Sequence, residues 1–176
     1  MVWVRYTWNL QSLLVDVQKP AGYHFRSVRP DELNTAIDIV LAAYRSDRVW
    51  GNQIIEIEKR MAERITSTLG ADDTDYIAAE FGGCLVAISG LAKQHWTAQN
   101  LLTGICVLLD HQRKGLGRCM LALSLSRLSE MGLSEARVYT EAGSVADRKI
   151  YSLFGSVREE GVEYPGVLRP SSIVKQ

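Results

Sequence analysis

Residues 110–128, DHQRKGLGRCMLALSLSRL, set Arg113, Lys114 and Arg118 around Gly115 and Gly117 and then turn apolar at helical spacing. The two glycines remove side chains that would keep a ligand off the backbone. The first turn of a helix presents N–H groups that have no internal partner and carry a partial positive charge. The chemistry available is anion binding, above all of phosphate. The same residues also fit an ordinary loop before an amphipathic helix, with three solvated basic side chains. The flanking elements decide between the two.

The chain has 176 residues, 47% of them hydrophobic, which suits one globular domain with a full core. Lys plus Arg equals Asp plus Glu at 20 each. No global basic field therefore argues for nucleic acid, any anion site is local, and the expected partner is a small molecule. Cys84, Cys106 and Cys119 form no C-x-x-C pair and leave an odd count, against a disulfide framework or a structural zinc site. A reducing cytoplasm and no metal are expected. No apolar run reaches the roughly 18 residues that span a bilayer, and Arg5, Asn9, Gln11 and Asp16 interrupt the first stretch where a signal peptide needs an apolar centre. No membrane association is expected.

The opening stretch alternates, with Val2, Val4, Tyr6 and Trp8 facing one way and Trp3, Arg5, Thr7 and Asn9 the other, as a strand does. A second extended piece, 23–28, leads to Pro30 and Asp31, a residue suited to cap a helix carrying Leu33, Ile37, Val40, Leu41 and Tyr44. A second helix is predicted from about Asn52 to Leu69. Gly82-Gly83 joins two apolar runs as a hairpin, and LLTGICVLL reads as a buried strand ending at Asp110. The Gly-rich loop thus lies between a strand and a helix whose core face is Leu116, Met120, Leu123 and Leu128. Another strand, ARVYTE, follows. Then comes a short helix with a capping-box pattern at Ser144 and Asp147, lined by Ile150, Tyr151 and Phe154 and ended by Gly155.

This order of elements resembles the GNAT superfamily of N-acyltransferases. The loop matches the family's Q/R-x-x-G-x-G/A pattern at Gln112, Arg113, Lys114, Gly115, Leu116 and Gly117, and KIYSLFG is similar to the family's later N-x-x-A-x-x-L-Y-x-x-x-G-F segment. There Ile150 stands at the Leu, Tyr151 at the Tyr and Gly155 at the Gly, while Ser144, Asp147 and Ser156 depart from the pattern. The resemblance runs from about Tyr23 to Val157. It implies a mixed α/β (α+β) fold: a central, mostly antiparallel twisted sheet flanked by helices, here with an extra N-terminal strand. One domain is expected over 1–176, with 1–20 as an N-terminal extension and 156–176 as a short C-terminal tail.

The likeness implies acetyl-coenzyme A as cosubstrate, with its pyrophosphate on the backbone N–H groups from Arg113 to Arg118. The pantetheine arm would pair like a strand with Ile105, Val107 and Leu108, and Arg148 or Lys149 would reach the ribose 3′-phosphate. The reaction implied is direct acyl transfer to a primary amine of a small molecule or peptide. In that reaction the N–H of Val107 would meet the oxyanion, and Tyr151 would act as acid toward the leaving thiolate. For the base, the family's central-strand Glu has no counterpart in 101–109, and Tyr139 stands where other members carry a Glu on the following strand. Glu141, two residues along and hence on the same face, and Glu80, at the end of the hairpin's first strand, are the carboxylates in reach of the role. Tyr44, Arg45, Asp47 and Trp50 lie where the family builds its acceptor wall. A short tail after Gly155 leaves a sheet edge that the N-terminal strand covers or that pairs with a second copy as a homodimer. The alternative function is a non-catalytic acyl-coenzyme A-binding sensor of the same fold.

Overall fold

The computed structural model describes residues 1–165. The tail beyond 165 lies outside the described residues. Eleven helices and strands follow one another among the described residues: β1 (Trp3–Asn9), β2 (Tyr23–Ser27), α1 (Leu33–Arg45), α2 (Ile54–Thr68), β3 (Thr74–Phe81), β4 (Cys84–Ala92), β5 (Leu101–Val107), α3 (Leu116–Glu130), β6 (Glu135–Glu141), α4 (Val145–Lys149) and β7 (Val157–Glu160). They form two sheets, a four-stranded one in the order β2-β3-β4-β5 and a three-stranded one in the order β6-β1-β7, with every pair antiparallel. The mixed α/β architecture expected from the sequence is the one observed. Asp31 lies within a 3-10 turn, Pro30–Glu32, rather than capping α1 directly.

Alternation sorts side chains between two cores. On β1, Val4, Tyr6 and Trp8 are buried and pack with Leu116, Met120, Leu121 and Leu125 of α3 beneath the sheets. Trp3, on the opposite face, joins the second core, where Ile39 and Val40 of α1 and Ile57, Met61 and Ile65 of α2 cover Tyr76, Ala78 and Ile88. β5 is buried along its whole length, because helices cover both of its faces.

The expected N-terminal strand is present as β1, the central strand of its sheet, pairing with all of β6 through Trp3↔Glu141 to Asn9↔Glu135 and with β7 through Val4↔Glu160 to Thr7↔Val157. Part of the expected C-terminal tail, Val157–Glu160, forms the short strand β7. The expectation that needs correction is the helix after β6. The short helix α4 stops at Lys149, so Ile150 and Tyr151 lie in the turn after it, and Phe154 takes a left-handed conformation, φ 62°. Ser144 caps α4 by accepting from the Asp147 N–H, but the Asp147 carboxylate does not complete a capping box.

Asp147 instead ties α4 to the three-stranded sheet. Its carboxylate accepts from Tyr6 Oη at 2.5 Å, from Arg158 Nε and Nη2 at 2.9 and 3.1 Å, and from the Gly143 N–H at 2.9 Å. Burial opposes ionisation, but the hydrogen bonds from Arg158, Tyr6 and Gly143 outweigh it and hold the pKa at about 2. A depressed carboxyl pKa stabilises the fold above its unfolded value, and that contribution is lost as pH falls from about 4 through about 2. Asp147→Asn is expected to cost about 1–3 kcal/mol at neutral pH and to flatten this acid limb. Thermal melts of both proteins between pH 7 and pH 2 check it, and parallel pH profiles would contradict it.

Candidate active site

The two sheets meet at one end and part at the other. Asn100 N–H donates to Arg137 O at 3.0 Å, and its side-chain Oδ1 accepts from the Arg137 N–H at 3.0 Å. Past this junction β5 and β6 diverge around a cleft with a cavity of about 330 Å³. A bulge shapes the β5 wall. The register steps from Ser89↔Ile105 to Leu91↔Leu101, so Leu102, Thr103 and Gly104 oppose the single residue Gly90. At Gly104 φ is +70°, and an added Cβ would lie 2.5 Å from Tyr151 Oη. Glycine at 104 lets the tyrosine enter the strand's edge.

The Gly-rich loop closes one end of the cleft. Gly115, at φ +80°, stands at the N-cap of α3, and Arg113 is also left-handed, φ 61°. The first intrahelical bond runs from the Cys119 N–H to Gly115 O. The N–H groups before it, at 116–118, belong to the first turn, which leaves them for a guest. Gln112, Arg113, Gly115, Gly117 and Arg118 line the cavity, and Arg148 and Lys149 face it from α4. Four basic side chains thus surround a helix N-terminus, a setting that attracts an anion. Gln112 Nε2 donates to Val107 O at 3.0 Å, fastening the loop to the strand. Arg118 lies over the Phe154 ring at 5.2 Å, and Arg148 Nε donates to Gly143 O.

Three residues expected in the cofactor site lie outside the cavity wall. Leu116 is a core side chain, 1% exposed. Leu108 sends its N–H to Val86 O on β4, away from the cleft. Lys114 is exposed beside the loop. Ile105 and Val107 line the cavity as expected. Neighbouring N–H groups of a strand point to opposite edges. Ile105 turns its own to Tyr151 Oη at 3.1 Å, so Val107, two residues on, directs its N–H to the same side.

Tyr151 is buried against Tyr6 and Trp8, with ring centroids 5.6 and 6.0 Å away. Burial raises its pKa well above the usual phenol value, and the Ile105 N–H only partly offsets this, so the hydroxyl keeps its proton. Burial likewise pushes the Cys106 thiol up to about 12, which makes it a core residue and not a nucleophile. Tyr44, Asp47, Trp50, Tyr139 and Thr140 complete the opposite end, with Tyr44 Oη donating to Thr103 O at 2.7 Å. Arg45 is outside, paired with Glu58.

Neither of the two carboxylates considered as bases lines the cavity, and their surroundings differ. Glu80 is held by Arg26 at 2.8 Å, in a cluster with Glu32, and does not reach the cleft. Its sequence position at a strand end did not show that Arg26, paired with Ala78 two residues away on the same face, would claim it. Glu141 follows Tyr139 on the same face of β6. Its Oε2 is buried without a hydrogen bond among the described residues. Burial raises its pKa, the Met1 ammonium opposes this, and Asp47 adds to it. Asp47 is itself committed to backbone, accepting from Val49 and Val145 N–H groups.

Sequence reading missed a polar group deep on the acceptor side. Arg64, 8% exposed, donates to Leu102 O at 2.7 Å and to Tyr164 Oη at 2.8 Å. Its position, seven residues after Ile57 and three after Met61, puts it on the apolar stripe of α2, which is the signal that marks a buried arginine. Among the described residues there is no cluster of three metal-ligating side chains, and no helix is long and apolar enough to cross a membrane.

A model of the acetyltransferase (GNAT) family matches residues 38–155. No curated protein matches the chain in sequence. Solved structures do match its fold. A Drosophila protein aligns at TM-score 0.63 with 14% identity, over 90% of this chain and 49% of its own. A GNAT-family acetyltransferase from Colwellia psychrerythraea aligns at 0.59 with 16% identity, over 90% and 53%. A GCN5-related N-acetyltransferase from Kribbella flavida aligns at 0.57 with 18% identity, over 91% and 57%. The chain therefore spans about half the length of these structures.

Proposed function

The chain belongs to the acetyltransferase (GNAT) family, and from that premise we propose that it transfers the acetyl group of acetyl-coenzyme A directly to a primary amine of a small molecule or peptide. One observation carries the reading. An anion-attracting loop, a strand edge with its backbone turned outward, and a buried, protonated tyrosine converge on the cleft where β5 and β6 part. The three cysteines, none of them in a disulfide, support a reducing compartment such as the cytoplasm.

Acetyl-coenzyme A would supply a thioester carbonyl open to attack and a thiolate to leave. The protein's residues bind, align and move protons. The first-turn N–H groups of α3, with Arg113, Arg118 and Arg148 around them, suit the diphosphate and ribose phosphate, and the edge of β5 at Ile105 and Val107 suits the amides of the pantetheine arm. The Val107 N–H is the donor we assign to the developing oxyanion. Glu141 is the carboxylate we assign as general base, acting through water. A raised pKa strengthens it as a base, and it shares a face of β6 with Tyr139, which lines the cavity. Holding amine and thioester in line supplies much of the rate, with effective molarity worth roughly 7–11 kcal/mol.

Tyr151 Oη is the proton donor for the departing thiolate. Thiol release from acetyl-coenzyme A across a panel of amines tests the reading, with Tyr151→Phe as the mechanistic variant. The Phe ring keeps the packing on Tyr6 and Trp8 and orphans one N–H, at about 1 kcal/mol. The expected result is a fall of about 10–100-fold in kcat with the coenzyme KM within a few-fold. Full kcat in the variant, where chemistry limits the rate, would assign Tyr151 to packing. A wild-type chain that binds the coenzyme yet releases no thiol with any amine would identify the sensor instead.

A further inference from the structure

We propose that the space between α2, β5 and the chain after β7, walled by Trp3, Arg64, Gln99, Tyr139 and Tyr164, receives a carboxylate of the acceptor, making the substrate an amine that carries its own acid group, such as an α-amino acid. The inference rests on the acyl-transfer reading and specifies its acceptor.

A buried guanidinium costs much free energy unless an anion accompanies it. Elsewhere in the described residues partly buried arginines obey this. Arg26 has Glu32 and Glu80, Arg158 has Asp147, and Arg5 has Glu159. Arg64 is more deeply buried than any of them, and no carboxylate pairs with it among the described residues. Its described partners are neutral, Leu102 O and Tyr164 Oη. A planar fork with five N–H donors suits a carboxylate far better than two single oxygens.

The second donor is Gln99, 3% exposed, whose Nε2 reaches the same Tyr164 Oη at 3.2 Å. Two buried side chains thus aim donors at one oxygen, the arrangement a carboxylate oxygen would take. Tyr164 holds that position through stacking on Trp3, with ring centroids 4.2 Å apart. The space left, about 20 Å³, admits no more than a water, so an acceptor carboxylate has to take the place of the Tyr164 hydroxyl. This space shares a wall with the reaction cleft: Tyr44, Trp50, Thr103, Gly104 and Tyr139 line both. Gly104, which borders Tyr151 Oη, belongs to that shared wall, and in the proposed pose the acceptor's amine stands at the tyrosine with its carboxylate reaching past Gly104 toward Arg64.

The test compares matched ligands on the full chain: glycine with glycinamide, and phenylalanine with phenylalaninamide. Binding is read by ligand-observed NMR with and without coenzyme A, and turnover by thiol release from acetyl-coenzyme A. At least one acid is expected to exceed its amide by about tenfold or more in affinity or kcat/KM, although the amide's amine is the less protonated. Arg64→Met should bring acid and amide to parity while coenzyme A still raises the melting temperature. If the Met variant does not fold, Gln99→Leu must cut the same preference by about threefold or more. Parity in the wild type for both pairs, undetected binding included, overturns the subsite, as does a preference that survives in the folded variants. Wild-type protein that coenzyme A fails to stabilise condemns the acyl-transfer reading instead, and coenzyme binding without acid preference condemns the subsite alone.

Discussion

Gly115→Glu is expected to weaken coenzyme A binding by about 100-fold or more while the protein remains folded. Gly115 faces the cleft at the N-cap of α3, and an added Cβ meets only Pro20 Cγ, at 4.0 Å, so there is room for a side chain. The carboxylate would stand where the diphosphate belongs. Repulsion between two charges at close range is about 1 kcal/mol in water and about 4 at a protein surface, and each 1.4 kcal/mol is tenfold in affinity. The left-handed backbone, φ +80°, strains any side chain, so Gly115→Gln is the control. It carries the same strain and bulk without the charge and should bind more tightly than the Glu variant. Thermal shifts read the outcome. Wild-type protein at 100 times the dissociation constant should gain about 2.7 kcal/mol from coenzyme A or acetyl-coenzyme A, and nothing comparable from ATP or NAD. A folded Glu variant that binds as tightly as its parent would remove the loop from the anion site, and stabilisation by ATP alone would remove the coenzyme.

Deleting residues 1–10 should abolish cooperative folding. Val4, Tyr6, Trp8 and Leu10 are all buried, Trp8 Nε1 donates to Leu153 O at 2.8 Å, and Tyr6 Oη holds Asp147. Burying such side chains is worth about 1.5–3 kcal/mol each, so the four together rival the about 5–15 kcal/mol that stabilises a typical domain. The deletion also strips hydrogen-bond partners from β6 and β7 at once. Near-ultraviolet circular dichroism and a melting curve check this. A truncated chain that melts cooperatively near the parent temperature would show β1 to be dispensable.

What sequence determines here is local. Glycines and basic residues between an apolar strand and an amphipathic helix specify the anion loop, because helix N-termini and backbone access depend on a few consecutive residues. The same holds for the Gly82-Gly83 hairpin, for the helix stripes, and for the alternation that names β1 a strand. Tyr151 was found from its short motif and does lie in the cleft. Which strand stands beside which is another matter, since period-2 patterning says that a strand has an inward face but not which partner it meets. Hence β1, readable as an accessory piece, proves to be the middle of a sheet, and Glu80 and Glu141, both strand-end carboxylates, part company. Arg26 across the β2–β3 ladder takes the first, while the second is left half-buried near Asp47 with an oxygen unpaired among the described residues. The bulge that seats Tyr151 at Ile105 and the buried charge of Arg64 also come from residues far apart in the chain. A local pattern sets the conformation and facing of each segment, but burial, pKa and ion pairing depend on long-range neighbours, which only the tertiary packing supplies.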